Sequence, residues 1–526
     1  MEKEYTVVVH KGVNLVELES EITASSGAGP IPNRSVDIAN PRPGSKRQTH
    51  FMLTDEEATA LEEDSRVLAV EIPPDQRTDI QIGFNSTQTA NFTKPLTFTD
   101  NTLVNWGLRR SIMETNGYGS GGTAGNTFPY ALTGKGVDVV IQDSGIEPNH
   151  PDFLDSNGIS RVKPIDWYAA QSVVSGTQNA NYNRDFDGHG TLCASITAGN
   201  IYGFAKDAHI YAMKIAGLEG AGDTGTGTPV ADCFDVIKEW HNAKTNGRPT
   251  VVNMSWGYTS TVTGDPTSGT YRGTGWVWGV DYTTDIALWQ GTGVVIPLAG
   301  TTRKIPARIA SVDADVDELI AAGVHVVIAA GNDYYKGDIP SGDDYNNTII
   351  FGGLTYNYAR GSSPHSDDAF IVGNISVSVY NDGGIYKDRT QGSSSKGPRV
   401  NIWAPGTNIT GATSTTNIYT SLDSPVDANY KITSLSGTSF ASPQVAGVAA
   451  LHLQVNSNSS PTQLTTKLLS EAKPVMYDTA SDTDYASFTT SLLGASTKVL
   501  FDKYGRQPLN ISGQNLTLQR AIPITT

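Results

Sequence analysis

The feature that most constrains the fold is a regular alternation of short apolar strands with helices from Trp106 onward. This alternation is typical of a mostly parallel sheet with helices on both faces. Strands are predicted at residues 137–141, 208–215, 251–254, 324–329 and 370–379. Helices are predicted at residues 191–198, 230–244, 313–322 and 439–455. The pattern therefore predicts an α/β fold with three layers, α/β/α.

The chain ends do not follow this pattern. Residues 1–76 contain predicted strands at 5–10, 50–53 and 66–71 and predicted helices at 15–22 and 55–63, which indicates a small α+β unit. Residues 77–104 are polar and rich in Thr and Asn, as expected of a linker. Residues 476–526, with short strands predicted at 498–504 and 509–512, are expected to form a C-terminal extension of unknown role.

Composition argues against several classes of protein. The 53 acidic side chains outnumber the 37 basic ones and give a formal charge of −16, which disfavours nucleic acid or an anionic membrane as the main partner. No apolar run is long enough to span a membrane, and the first ten residues lack the apolar core of a secretory signal. We therefore expect an intracellular or particle-associated protein. With only Cys193 and Cys233, disulfides are not expected to organise the fold.

Four polar residues lie where predicted strands end or predicted helices begin. Asp143 and Asn332 follow apolar strands, and His189 and Ser439 open helices. In open α/β sheets, chemistry gathers beyond the carboxyl ends of the strands. An acid that orients an imidazole, an imidazole that takes a serine proton and an amide that stabilises an oxyanion together make an acyl-transfer site.

Each of these residues also has a purely structural alternative. Asp143 could cap a turn, and His189 could be a satisfied histidine at a helix start. Asn332 could form a simple turn with Asp333, and Ser439 could be an N-cap. These alternatives require four coincidences in the chain order Asp, His, Asn, Ser, so the joint pattern favours catalysis.

The segments around these residues resemble the four signature blocks of the subtilisin-like serine proteases (subtilases, the peptidase S8 family). The matching segments are Asp143-Ser-Gly145, Gly188-His-Gly-Thr191, Ala329-Ala-Gly-Asn-Asp333 and Gly437-Thr-Ser-Phe-Ala-Ser-Pro443. The likeness covers residues 105–475, with an insertion at 258–310. It implies a subtilisin-like fold and a serine endopeptidase.

The resemblance also implies a role for each residue of the site. Ser439 would be the nucleophile, His189 the general base and then acid, and Asp143 the orienting carboxylate. Asn332 would donate to the oxyanion. The chemistry requires no cofactor. A structural calcium ion could bind at the acidic loops 185–187 or 343–344, although no ligand pattern assigns one.

The segments Gly225-Thr-Gly227 and Ser255-Trp256-Gly257 resemble the two edge segments of the family that pair with an extended polypeptide substrate as added strands. Ala329, Ala330 and Gly331 resemble one wall of the first specificity pocket. A core aromatic is the alternative for Trp256. The sequence departs from the family pattern at Gln142, where an apolar residue is usual, and at Leu192, where a second histidine is common.

The first unit resembles an inhibitor I9-type pro-domain through Phe51-Met-Leu-Thr-Asp-Glu-Glu57 and residues 61–71. This resemblance implies a zymogen whose own pro-domain acts as an intramolecular inhibitor and is removed between Pro74 and Asn105. The alternative for residues 1–74 is an unrelated accessory domain. For the whole chain, the alternative is a structural or particle-associated subtilase-fold protein that cleaves only itself or is inactive.

Overall fold

The computed structural model describes residues 2–24, 27–73, 76, 86–169, 174–297, 302–479 and 491–505. Contacts divide the chain into two units, Met1–Gly83 and Phe84–Thr526. The strand predicted at residues 509–512 lies outside the described residues.

The first unit is α+β, as the sequence predicts. Its elements are β1 (Lys3–Val9), α1 (Leu15–Thr23), β2 (Ile38–Asn40), β3 (Gln48–Leu53), α2 (Asp55–Leu61) and β4 (Val67–Glu71). The strands pair antiparallel in the order β2-β3-β1-β4. Helix α2 begins with a capping box, in which Thr54 and Glu57 each accept the other's main-chain N–H.

The second unit contains the longer pattern. Its helices are α3 (Trp106–Ser111), α4 (His189–Ala198), α5 (Val230–Ala243), α6 (Asp285–Thr292), α7 (Ala310–Ala321), α8 (Thr438–Val455) and α9 (Pro461–Glu471). Its strands are β5 (Ser86–Thr89), β6 (Thr127–Tyr130), β7 (Asp138–Asp143), β8 (His209–Lys214), β9 (Thr250–Met254), β10 (Thr259–Thr263), β11 (Ser268–Tyr271), β12 (Thr274–Val277), β13 (Thr302–Pro306), β14 (His325–Ala329), β15 (Thr348–Phe351), β16 (Leu354–Tyr356), β17 (Phe370–Asp382), β18 (Ile385–Thr390), β19 (Ile402–Pro405), β20 (Ile409–Thr413), β21 (Ser421–Asp423), β22 (Lys431–Leu435), β23 (Lys473–Pro474) and β24 (Lys498–Val499).

A mostly parallel sheet forms the centre of this unit, with strand order β23-β24-β19-β17-β14-β9-β7-β8 and β18 paired with β17. Alternate residues of each strand face opposite helix layers. Val139 and Ile141 of β7 join the core formed with α4 and α8, whereas Val140 joins the core formed with α5 and α7. The three-layer α/β/α architecture is therefore confirmed, and both faces of the sheet are buried.

Several elements extend beyond their predicted limits because of tertiary contacts. Helix α7 begins at Ala310, three residues before the predicted start at Asp313, and buries Val312. Strand β17 continues to Asp382 because its second half pairs antiparallel with β18. The hydrophobic pattern of a single segment cannot predict this long-range pairing.

The expected limits of the peptidase region also shift. Strand β24 pairs with β19, and Leu492, Val499 and Leu500 are buried in the main core, so this core continues beyond residue 475. At the other end, β5 pairs with β6. The part of the expected linker from residue 86 onward therefore packs into the second unit.

The expected insertion at residues 258–310 contains β10 to β13 and α6, and its strand β11 pairs with β15, which follows it in the chain. Trp276, Leu288 and Ile305 are buried there against Tyr335 and Tyr358. The insertion therefore shares a small apolar core with residues outside it.

Candidate active site

Asp143 and His189 meet where β7 ends and α4 begins. Nδ1 of His189 lies 2.8 Å from Oδ1 and 3.0 Å from Oδ2 of Asp143. Asp143 is buried, while the His189 side chain is 21% exposed. Two glycines allow α4 to start this close to the end of β7. Gly188 adopts φ +97°, and Gly190 has no Cβ, which would lie 2.2 Å from the Gly145 carbonyl oxygen. The predicted acid–imidazole contact is present.

Ser439 is the second residue of α8, which packs against α4. Its Oγ donates to the Ser255 carbonyl at 3.0 Å. Its own carbonyl accepts hydrogen bonds from Ser255 Oγ at 2.8 Å and from Cys193 Sγ at 3.4 Å. The ring of the next residue, Phe440, lies 5.2 Å from the His189 ring. The packing of the two helices thus brings the predicted serine and histidine to one place.

Asn332 lies exposed after β14, beside the amino end of α8. Its Oδ1 accepts from the Thr438 main-chain N–H at 2.8 Å and from Thr438 Oγ1 at 3.1 Å. Thr438 Oγ1 also accepts from the Gly331 N–H at 3.2 Å. These bonds hold the Asn332 amide next to Ser439 and leave its Nδ2 as the donor group.

A buried carboxylate, Asp185, joins the end of β7 to the start of α4. Its Oδ1 accepts from Ser144 Oγ at 2.9 Å and from the Gly188 N–H at 2.8 Å. Its Oδ2 accepts from the Thr191 N–H at 2.9 Å and from Thr191 Oγ1 at 2.5 Å. Burial raises the pKa of Asp185, although each of these donors favours the charged form. The network holds the segments that carry the catalytic candidates.

Several carboxylates of the acidic loops already have partners within the protein. Both oxygens of Asp185 already accept from the protein, and Asp187 Oδ1 accepts from the His189 N–H and from Tyr419 Oη. Asp344 forms ion pairs with Arg272 and Lys336. A cation bound there would displace N–H and O–H donors or face two positive side chains.

The electrostatics of His189 are dominated by burial and by Asp143. Burial disfavours the imidazolium, but the charge of Asp143 and its hydrogen bond outweigh burial and raise the pKa of His189 well above its ordinary value. The Cys193 sulfur lies 3.8 Å from His189 Nδ1. Burial raises the pKa of this thiol, so it stays protonated at neutral pH. Cys193 and Cys233 are both free.

The edge segment with Gly225 and Gly227 is held by a carboxylate that the sequence analysis missed. Glu219 is 4% exposed, and its Oε1 accepts from the Gly225 N–H at 3.3 Å and from the Gly227 N–H at 3.1 Å. Its Oε2 accepts from the Gly217 N–H at 2.6 Å. Burial opposes the charge, yet the amides outweigh it and lower the pKa of Glu219. Glu219 therefore fixes the main chain of this edge segment.

The opposite segment places its three predicted residues differently. Ser255 is buried and contacts Ser439, whereas Gly257 is exposed. Trp256 is half-buried, with its ring 5.6 Å from Tyr258, and its Nε1 donates to Gln142 Oε1 at 3.3 Å. The unusual Gln142 is thus a partner of Trp256, and the core-aromatic alternative for Trp256 stays open.

The segment that leads to Asn332 is fixed through its main chain. The Ala330 N–H donates to the Val372 carbonyl at 3.0 Å, and the Gly331 carbonyl accepts from the Ser395 N–H at 2.9 Å. Ala329 is buried and Ala330 is half-buried. These small residues lead from β14 to Asn332.

A family model for the subtilase family (Peptidase_S8) matches residues 134–499, and the chain belongs to this family. It is 25% identical over 394 residues to the subtilisin-like serine protease Pen c 2 of Penicillium citrinum, covering 74% of this chain and 64% of that protein. It is 24% identical to a cuticle-degrading serine protease of Arthrobotrys oligospora, covering 72% of this chain and 65% of that protein. The chain thus spans less than two thirds of the length of these two relatives.

Subtilisin-like protease 1 of Pseudogymnoascus destructans is 24% identical and matches 89% of this chain and 84% of its own length. Among solved structures, a cold-adapted subtilisin-like serine proteinase matches 76% of this chain and 98% of its own chain, with 21% identity and a TM-score of 0.46. Within the described ranges, no helix combines the length and apolar character needed to cross a bilayer.

Proposed function

We propose that this chain is a serine endopeptidase that hydrolyses peptide bonds through an acyl-enzyme. The observation that carries the proposal is the contact of His189 Nδ1 with Asp143, beside Ser439 on the adjoining helix. The Asp143 contact leaves Nε2 of His189 as the ring nitrogen that can take a proton. The subtilase match over residues 134–499 supports the same chemistry.

The reaction begins with rotation of the Ser439 side chain away from the Ser255 carbonyl. Ser439 Oγ gives its proton to His189 Nε2 and attacks the scissile carbonyl carbon, whose oxygen takes up the electron pair. The Asn332 amide and the Ser439 N–H donate to that oxyanion. When the intermediate collapses, His189 protonates the leaving amine, and water then releases the acyl group by the same steps.

The direct test is hydrolysis of an unstructured protein such as casein by the purified full chain. We expect peptide products whose formation is blocked by an organophosphorus serine reagent. If casein stays intact and the chain keeps its full length, the enzyme proposal fails and the structural alternative replaces it.

We propose further that the first unit is a pro-domain removed by the peptidase itself and inhibitory when bound. The burial of Phe92, Leu103 and Val104 within the second unit supports a cut before residue 86. Mass analysis of the wild-type chain should show a mature species that starts between residues 74 and 86. A mature species starting after Leu103 would contradict this boundary.

Replacing Asn332 with alanine is expected to lower kcat by about 10²–10³-fold with little change in KM, because its amide donates only to the oxyanion. This magnitude is borrowed from the corresponding donor of subtilisin. The measurement is steady-state kinetics on a peptide substrate. Asn101→Ala, which removes a half-buried amide that donates to the Asp423 carbonyl, is the control. Equal rates for the two variants would exclude Asn332 from the oxyanion site.

The raised pKa of His189 predicts that kcat/KM falls as pH drops through that pKa, because the protonated imidazole cannot take the serine proton. Half-maximal kcat/KM should lie above about pH 6.5, the ordinary value for histidine. The contribution of the His189–Asp143 ion pair to folding stability has the opposite pH dependence to kcat/KM. It is present at low pH and is lost as pH rises through the folded-state pKa of His189. A pH–rate profile with its acid midpoint below 6.5 would contradict this reading.

Replacing Glu219 with alanine removes the acceptor of three main-chain amides and should loosen the edge segment. We expect kcat/KM for an extended peptide to fall about tenfold, the equivalent of losing about one hydrogen bond to a charged group, which contributes about 1.5 kcal/mol. Hydrolysis of a short ester with one amino-acid residue should stay within about twofold, because it does not reach this segment. Equal losses for both substrates would indicate general damage rather than positioning.

A further inference from the structure

A cavity of about 890 Å³ opens at the edge of the central sheet opposite the candidate active site. Asp143 ends β7, and Asn332 follows β14. The cavity wall instead contains residues that precede or begin the parallel strands: Pro249, His325, Asp368 and Arg399. The two sites are therefore separated by the length of the sheet.

The deep wall of this cavity carries a buried cation without an acidic partner. Arg399 is 9% exposed, and its Nη1 donates to the Arg360 carbonyl. Its Nε has no hydrogen-bond partner, and among the described residues no carboxylate lies within 4.0 Å of its guanidinium. Burial, together with the charge of Arg308, lowers the pKa of Arg399 to about 9. A cation buried this way is costly unless an anion or water compensates it.

The other cations on the wall are already paired. Arg308 contacts Asp313 at 2.6 Å, and Lys244 and Arg248 contact Asp138 at 3.1 and 2.9 Å. Arg399 differs from them because no described carboxylate lies within ion-pair distance of it, although the more distant charges of Asp313 and Asp367 partly offset the effect of burial on its pKa.

Two neutral donors or acceptors complete the polar wall. Nδ1 of His365 and Nδ1 of His325 are buried and have no hydrogen-bond partner. Burial and the nearby charges of Arg399 and Arg308 strongly lower the pKa of His365, so its ring is neutral. Arg399, His365 and His325 thus line a cavity large enough for a small polar ligand.

We propose that this cavity binds a small oxyanion, a carboxylate or a phosphate, through the guanidinium of Arg399. A guanidinium presents N–H donors in a planar fork that matches the oxygens of either group. Asp317 and Asp368 also line the cavity and would repel an extended polyanion, which limits the ligand to a small one. The site is independent of the proposed peptidase activity.

The test is titration of the full chain with sodium phosphate and, separately, with sodium acetate, at constant ionic strength and followed by calorimetry. Ser439→Ala serves as the background to prevent self-digestion. We expect saturable binding of one ion per chain, and the ion that binds distinguishes phosphate from carboxylate. Absence of saturable binding by both ions would overturn the proposal.

Arg399→Met, on the same background, should weaken binding at least tenfold and should melt at the same or a higher temperature in anion-free buffer, because an unpaired buried charge has been removed. Lys431→Met, which breaks only an exposed pair with Asp423, should leave binding unchanged. Unchanged binding in Arg399→Met would place the ion elsewhere and overturn the proposal. If Arg399→Met does not fold, Arg399→Lys, which keeps the charge but loses the fork, must still bind more weakly.

Discussion

Replacing Ser439 with alanine should reduce casein hydrolysis by at least about 10⁴-fold and leave the chain at full length. The variant keeps α8 and its packing but loses the only atom proposed to attack the substrate carbonyl. The size of the loss is borrowed from subtilisin, in which removal of the nucleophile costs about 10⁶ in kcat. Hydrolysis rates and the intact mass of each chain are the measurements.

The matched control is Ser436→Ala, three residues earlier. Ser436 is exposed, and its Oγ bonds to Asn408 rather than to any catalytic candidate. It should cleave casein at the wild-type rate. If Ser439→Ala cleaves casein as fast as Ser436→Ala, another residue is the nucleophile.

Replacing Asp143 with asparagine is expected to lower kcat about 10⁴-fold near neutral pH. The amide cannot supply the negative charge that stabilises the imidazolium, and it can hold His189 in the wrong tautomer. That magnitude is known for the equivalent change in another serine protease. Because the Asp143 charge raises the pKa of His189, the acid limb of the remaining activity should also move to lower pH.

Asp423→Asn provides the control for this experiment, since Asp423 forms an exposed ion pair with Lys431. Its kcat and pH profile should match those of the wild type. An Asp143→Asn variant with a normal rate, or with an acid limb shifted to higher pH, would show that Asp143 does not act through His189.

The architecture could be predicted because the central strands are buried on both faces. Val139, Val140 and Ile141 form an unbroken apolar run, yet they face alternate layers. Apolar strands of this kind that alternate with helical segments are compatible with few folds other than a parallel sheet covered by helices. The catalytic candidates were also readable because each stands at the end of one of these elements.

The positioning carboxylates could not be predicted in the same way. Glu219 gains its role only when the chain folds back to present the amides of Gly217, Gly225 and Gly227. Asp185 stands in an acidic loop and resembles a metal ligand, and its contact with Ser144 on a distant segment is not visible in the sequence. A lone acid among glycines, as at Glu219, is the sequence signal by which such an amide acceptor could have been found.

The predicted ends of strands and segments are wrong where long-range contacts determine them. Strand β24 has two residues and little pattern of its own, but pairing with β19 draws it into the sheet. Residues 86–104 look like a linker by composition, although Leu103 and Val104 are buried. Such packing cannot be predicted from composition when a few buried apolar residues lie within a mostly polar segment.

The most direct test of the central proposal is covalent labelling of the wild-type chain with a fluorophosphonate, followed by peptide mapping. We expect one phosphonyl group on Ser439, none on Ser439→Ala, and much slower labelling of Asp143→Asn. Labelling at another serine, or an unlabelled wild-type chain, would contradict it.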